Sequence, residues 1–354
     1  MAEDKDENIW ICTEGGGLNL FDRQKKTFTY FMADPDKNSI AHDNLKDIAY
    51  SAKRNKLYIG THTGGLSIFD IPRKQFRNPY FEDPSYAVKA GDRINQMTIW
   101  KDKYLVDLDT EHISPVFPSG KQYGNHCFAI DSNDYIWITS GRVIYKINME
   151  DEEDKTIFRC GENGLGDQTV TTIYEDKKGR LFFGTSGAGL YLYDKKNNSF
   201  KGYTTENSMI LSNYCYEIEE SQQGYLIISG DKGLSFFDPE QSMFKVVELG
   251  TALPVSGINK GCGLLVCKNG EIFVGGIDGL STFFEQDLFH PSKDYQLYFS
   301  DLYINNEPVY PKDQSRILSE ALPYTQEIHL NHNQNNLILN FNSNNYINTL
   351  KETA

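Results

Sequence analysis

Leu181-Phe182-Phe183-Gly184-Thr185-Ser186-Gly187-Ala188-Gly189-Leu190-Tyr191-Leu192-Tyr193-Asp194 is two short apolar strands joined by a glycine-bearing turn and closed by an acid. Glycine supplies the positive φ that so tight a hairpin needs. The second half recurs as Gly15-Gly16-Gly17-Leu18-Asn19-Leu20-Phe21-Asp22, Gly64-Gly65-Leu66-Ser67-Ile68-Phe69-Asp70 and Gly233-Leu234-Ser235-Phe236-Phe237-Asp238. The first half recurs too, giving seven anchor strands centred on Trp10, Tyr58, Leu105, Trp137, Phe182, Ile227 and Phe273. Their spacings are 48, 47, 32, 45, 45 and 46 residues.

Such a period fits one four-stranded propeller blade per repeat. Aromatics beyond the acids (Phe28 and Tyr30, Phe76, Phe200 and Tyr203, Phe244) predict an outer fourth strand. Ahead of the anchor strands lie apolar segments followed by polar turns, as in Val170-Thr171-Thr172-Ile173-Tyr174, and these predict the innermost strands. Comparable segments at 45–50, 94–99, 127–130, 214–218 and 262–267 make six inner strands for seven anchors. Residues 3–8 match the turn that follows an inner strand, so the first blade is expected to lack that strand and the chain to be a fragment of something longer. From about residue 295, Leu297-Tyr298-Phe299-Ser300-Asp301-Leu302-Tyr303-Ile304, Ile328-His329-Leu330 and Leu337-Ile338-Leu339-Asn340-Phe341 alternate between asparagine-rich turns. The expectation is an all-β chain: a seven-bladed β-propeller over residues 1–292, its first blade lacking the inner strand, and a partial β-sandwich over 293–354.

Composition narrows the function. The 354 residues carry 35 Lys plus Arg against 49 Asp plus Glu, a formal net charge of −14, which argues against nucleic acid as a partner. At 39% hydrophobic and 24% charged residues the chain can bury a core. No stretch approaches the roughly 18 apolar residues that span a bilayer, so no membrane insertion by this segment is expected. Met1-Ala2-Glu3-Asp4-Lys5-Asp6-Glu7 has neither the basic start nor the apolar core of a secretory signal. The six cysteines (Cys12, Cys127, Cys160, Cys215, Cys262 and Cys267) form no pair of CxxC motifs and have no histidines at zinc spacing. They read as buried free thiols, with disulfides the alternative, and no metal or other cofactor is expected.

The glycine, leucine and aspartate spacing over about residues 8–290 resembles the two-component regulator propeller repeat. Copy three, Tyr104-Leu105-Val106-Asp107-Leu108-Asp109-Thr110-Glu111-His112, has lost the glycine turn, and copy four is reduced to Ser140-Gly141-Arg142-Val143. The strands after residue 295 resemble the opening half of the three-tyrosine (Y_Y_Y) sandwich that follows such propellers in hybrid sensor kinases. The resemblance implies a periplasmic, extracytoplasmic sensor fragment that recognises a carbohydrate or oligosaccharide. An upstream propeller, a membrane helix and the histidine kinase would lie elsewhere in the parent protein, and homodimerisation would follow from a dimeric kinase. No kinase activity, and no other enzyme activity, is then expected of this chain.

Catalytic signatures are weak: there is no GxSxG elbow, no HExxH and no phosphate loop. Asp107 and Asp109 share one face of a predicted strand, whereas glycoside hydrolysis needs carboxylates opposed across a sugar. A polysaccharide-acting propeller enzyme and a protein-interaction scaffold are the alternative functions. A propeller presents ligands at the mouth where the loops entering the inner strands meet those joining second and third strands. Arg93, Asn44, Asn125, Gln168 and Asn213 fall at those entries, and Asp109 and His112 belong to the aberrant copy; these seven are the candidate ligand-binding residues, Arg93 foremost. Amide and guanidinium groups suit hydroxyl-rich ligands. The competing role, hydrogen-bonding the turns between blades, applies above all to the asparagines. His42, His62 and His126 read as hydrogen-bonding turn residues, and Trp10 and Trp137 as core.

Overall fold

The computed structural model describes residues 1–79, 94–100, 103–108, 112–114, 127–250, 253–288 and 297–343. The chain divides into two compact units, Met1–Leu288 and Phe289–Ala354.

The first unit is a succession of seven antiparallel sheets, each a meander, consistent with seven blades. Sheet one is Ala2–Glu3, Ile9–Cys12, Leu18–Asp22 and Thr27–Phe31; sheet two is Leu45–Ser51, Lys56–Thr61, Leu66–Asp70 and Gln75–Arg77. Sheet three is Ile94–Trp100, Lys103–Leu108 and His112–Ser114. Sheet four is Phe128–Ile130, Tyr135–Ser140, Val143–Asn148 and Lys155–Arg159; sheet five is Val170–Glu175, Leu181–Thr185, Leu190–Asp194 and Ser199–Tyr203. Sheet six is Ile218–Glu220, Leu226–Gly230, Gly233–Asp238 and Met243–Glu248, and sheet seven is Leu264–Val266, Glu271–Gly275 and Leu280–Phe284. The all-β propeller reading holds, with one correction. Sheet one has an inner strand, Ala2–Glu3, paired with Trp10 and Ile9. The sequence hides it because the strand is two residues long and offers only Ala2 to the core.

Four of the inner turns are each organised by one side chain. Asp4, Asp131 and Asp176 accept backbone N–H groups two and four residues on through Oδ1, and Ser221 does so through its hydroxyl. The Asp4 and Asp131 carboxylates also accept the Nε1–H of buried Trp10 and Trp137 at 2.8 and 2.9 Å. Since an indole N–H must find a partner when buried, one acid both shapes the turn and lets a large ring enter the core.

Neighbouring sheets are tied near the axis by side chains that reach the next backbone. Asp47 accepts the Met97 N–H (2.6 Å), Gln96 exchanges two bonds with the Phe128 backbone (3.0 Å each), and Glu217 accepts the Leu264 N–H (2.5 Å). A second ring of ties uses the last inner-strand residue, which accepts the first turn amide of the preceding sheet: Ser132 N–H to Glu175, Lys177 N–H to Glu220, and Lys268 N–H to Glu3 (2.9 Å). The last of these joins sheet seven to sheet one by the same contact that joins four to five and five to six. Arg23 adds ion pairs to Glu3 (3.2 Å) and Glu271 (2.6 Å), and Ile9, Cys267 and Phe273 are buried together beneath them.

In the second unit Leu297–Ile304 pairs with Glu307–Val309 and with Leu337–Ser343. The hairpin between the first two turns through Asn305 and Asn306, both at positive φ, as the asparagine pattern predicts. Residues 328–330 are not a strand: the central strand is already paired on both edges, and Ile328 and Leu330 instead pack on a cluster of Leu302, Ile304, Val309, Leu318 and Leu322.

Candidate functional site

The hairpins joining second and third strands converge on the loops that enter the inner strands. In sheets one, two and five a threonine at the end of the second strand (Thr13, Thr61, Thr185) donates its hydroxyl to the carbonyl four residues on (Gly17, Gly65, Gly189) at 2.8–2.9 Å. All three glycines have positive φ. At Gly189 a Cβ would come within 2.3 Å of the Tyr203 carbonyl oxygen, so the hairpin lies directly against the outer strand. These rigid hairpins present their tips to the entry loops.

Three expected site residues lie in this region with their side chains described. Asn44 bridges to Glu14 of the sheet-one hairpin, its carbonyl accepts the His62 N–H (2.9 Å), and its own N–H donates to His42 Nδ1 (2.8 Å). Its side-chain oxygen is buried without a hydrogen-bond partner among the described atoms, and so is His62 Nδ1. Glu14 is paired with Lys46 beside them. Asn213 plays the competing role: its carbonyl accepts Gly187 N–H (3.1 Å) and Gly189 N–H (2.9 Å), and its side chain accepts Thr205 N–H (2.9 Å). It holds the turn. Gln168 is exposed, next to Asp167, which pairs with Arg142 of the preceding sheet's hairpin. Arg93, Asn125 and Asp109 lie outside the described residues. His112 begins a strand paired with Leu108, and its side chain, like that of Asp107, is outside them too.

Sequence reasoning missed Tyr214. It is 47% exposed, bridges to Ser186, and lies against the open face of Gly187. The signal was available: an aromatic next to an entry asparagine, at a place where the preceding hairpin carries glycine rather than a side chain. The inner-strand acids were missed as well. Burial pushes the Glu217 carboxyl up to about 7 and the Glu219 carboxyl up to about 8, the Asp47 charge further disfavouring that of Glu217 and the Glu217 charge that of Glu219, and burial also raises Asp47. The Met1 ammonium opposes all three shifts. These acids retain some water contact, as side chains lining a narrow axial space do. Away from the mouth, sheet two carries a concavity of about 470 Å³ where Arg54, Lys56, Arg73 and Arg77 surround Asp70. Lys56 and Arg73 both reach that carboxylate at 3.4 Å. All six cysteines are free and five are buried, with Cys12, Cys215 and Cys267 pushed up to about 12 by burial.

Residues 164–187 match the family Two component regulator propeller. This regulator-propeller match covers the loop entering sheet five, its first two strands and the tip of its hairpin. Over 369 aligned residues the chain is 21% identical to Histidine kinase P4 of Formosa agariphila, covering 98% of this chain and 26% of that kinase. The extracellular domain of the hybrid two component system BT3049 from B. thetaiotaomicron superposes with a TM-score of 0.69 at 19% identity, over 96% of this chain and 46% of that one. Virginiamycin B lyase from Staphylococcus aureus superposes at 0.57 with 10% identity, over 79% of this chain and 92% of that one. The chain thus spans about a quarter of the curated kinase it matches and just under half of the B. thetaiotaomicron domain. Likeness to structures as different in function as a sensor domain and a lyase establishes the propeller fold alone.

Proposed function

We propose that this chain is part of the extracytoplasmic sensor region of a larger hybrid two-component kinase and that its propeller mouth takes a neutral oligosaccharide. The observation that carries the ligand reading is the pair Asn44 Oδ1 and His62 Nδ1. An unpartnered buried polar atom costs about 1–3 kcal/mol, and a site tolerates two, on residues joined by a backbone hydrogen bond, when a hydroxyl-rich ligand or ordered water completes them. Tyr214 offers an exposed ring for a sugar face on the same side of the sheets. Arg93, Asn125, Asp109 and His112 extend the candidate set by sequence position. The regulator-propeller match and the kinase relative support the signalling half of the proposal. Ligand binding would bias the kinase only through unequal affinity for two arrangements of the parent protein. The segment after the propeller, read as part of a β-sandwich, would carry such a change.

A thermal-shift series against neutral and anionic oligosaccharides tests this directly, since a ligand that binds only the folded chain raises Tm with concentration. The expected result is a saturable shift with a neutral oligosaccharide that is lost in Asn44→Ala and weakened in Arg93→Ala, with the sugar recovered intact. A shift with anionic sugars alone would move the site to the basic concavity of sheet two. Release of shortened products would favour the enzyme reading, and no shift with any sugar in a folded chain would overturn the ligand assignment.

A further inference from the structure

The loops that enter sheets two and six correspond residue for residue. Ile40 and Ile210 are buried at the same place, and the N–H groups of Ala41 and Leu211 donate to Ser67 and Ser235 of the third strands at 3.0 Å each. Two residues on, Asp43 and Asn213 each hold the preceding sheet's hairpin. Their carbonyls accept Gly17 N–H and Gly189 N–H (2.9 Å each), and their side chains accept Ala33 N–H and Thr205 N–H (2.6 and 2.9 Å). The next residue stands at the mouth: Asn44 bridges to Glu14, and Tyr214 to Ser186. Asn44 is therefore the counterpart of Tyr214, and His42 that of Ser212.

In both loops the residue two before the mouth residue accepts its N–H, but the acceptors differ in kind. Tyr214 N–H donates to the Ser212 hydroxyl (3.0 Å), which in turn donates to Asp231. Asn44 N–H donates to His42 Nδ1 (2.8 Å). A serine hydroxyl accepts such a bond at any ordinary pH. An imidazole nitrogen accepts only while it carries no proton, so the bond to Asn44 requires the neutral ring with its hydrogen on Nε2. A proton on Nδ1 would set one N–H against another in a loop pressed on the sheet-two hairpin, where a Cβ at Gly64 would come within 3.0 Å of the His42 Cβ. Whether the charged ring stays or turns away, Asn44 loses its acceptor.

We infer that His42 is a positioning residue for Asn44 and that gain of a proton by its ring frees Asn44 from its place at the mouth, so that acid weakens ligand binding there; the inference rests on reading Asn44 as part of the ligand site. Among the described residues, the charged and titratable groups on the elements packed here are Asp43 of the same loop, Glu14 of the sheet-one hairpin, Lys46 of the inner strand and His62 of the sheet-two hairpin. Asp43 is committed to Ala33 N–H and Glu14 to Lys46. His62 holds the place that Asp231 has in sheet six, so a charged His42 ring finds no carboxylate at that place to hold it. Histidine is the side chain that ordinarily changes charge between about pH 5 and 8, which sets the range of the switch. Because linkage is reciprocal, a ligand that needs Asn44 in place must also oppose protonation of the ring.

Amide exchange followed by NMR on the isotope-labelled chain tests the switch without any ligand, with protection measured against the unfolded-chain rate at each pH. Between about pH 8 and 5, the protection of the Asn44 amide should fall about tenfold, as expected for one lost hydrogen bond. That of Tyr214, held by serine, should stay constant and serves as the control within the same sample. In His42→Ser the Asn44 amide should behave as Tyr214 does, and the ring nitrogens of His42 in the original chain should report the Nε2–H form at the alkaline end. Constant protection of Asn44, an equal fall in His42→Ser, or the Nδ1–H form overturns the inference. The ligand arm uses a mixture of neutral cello-, xylo- and malto-oligosaccharides: their thermal shift should shrink on acidification in the original chain and be independent of pH in His42→Ser. A shift that shrinks equally in both overturns the coupling to binding. No shift at any pH would fell the oligosaccharide reading, and the switch would then be judged by the Asn44 amide alone.

Discussion

Gly189 and Glu219 show how much rests on single positions. Gly189 combines φ of +91° with a Cβ position 2.3 Å from the Tyr203 carbonyl, so Gly189→Ala should destabilise the chain by about 1–3 kcal/mol in denaturant titration. Gly224, also at positive φ but with open space around it, is the milder control. Glu217 and Glu219 have folded-state values raised above those of an unfolded chain. Between about pH 4.5 and 8 the folded chain therefore holds protons that the unfolded chain has released, and stability falls as pH rises through that window. Glu219→Gln should flatten the fall in Tm between pH 5 and 8 and raise Tm at pH 8. A slope unchanged by the substitution would place the titration elsewhere. The sequence places an inner strand at 214–218, but the structure sets it at Ile218–Glu220, and the burial that raises both acids depends on packing that the pattern Glu217-Ile218-Glu219-Glu220 does not display.

Among elements, the turn acid does the most. In Asp131→Ala two backbone donors and the Trp137 indole lose their acceptor, and with the ring fully buried the expected loss is roughly 3 kcal/mol. The Trp137 fluorescence should shift together with the denaturation midpoint. The strands themselves were legible because each repeat pairs an apolar anchor with a glycine hairpin, a pattern of period two that helices do not share. What sequence could not display was the strand Ala2–Glu3, whose existence depends on the neighbouring Ile9–Cys12 rather than on its own composition. Residues 328–330 failed in the opposite sense, apolar and alternating but with their side chains taken up by the buried cluster rather than by strand pairing. Of the mouth, the polar entry positions were legible, whereas the division of labour between Asn44 and Asn213 was not. Both precede inner strands, and only the hydrogen-bond partners separate a turn residue from one with an oxygen to spare.

At the scale of the first unit, seven sheets are joined pairwise by repeated contacts, and the junction of sheets seven and one uses Glu3, Arg23 and Glu271 in place of a shared strand. The Arg23 guanidinium is largely buried between two carboxylates, so Arg23→Gln leaves both acids short of a cation there and should lower Tm by several degrees. The loss should be largest at low salt. Lys25→Gln, which removes an exposed pair with Asp22, should change little. That junction carries a thermodynamic consequence of its own. A closed ring must lose two junctions before any sheet is freed, whereas a ring parted at one place is a linear array whose ends fray one sheet at a time. With Arg23 held between Glu3 and Glu271 at that junction, loss of those ion pairs should make it the place where the circle parts first on heating. The enthalpy measured by calorimetry should then exceed the van't Hoff value from the same scan, and more so in Arg23→Gln.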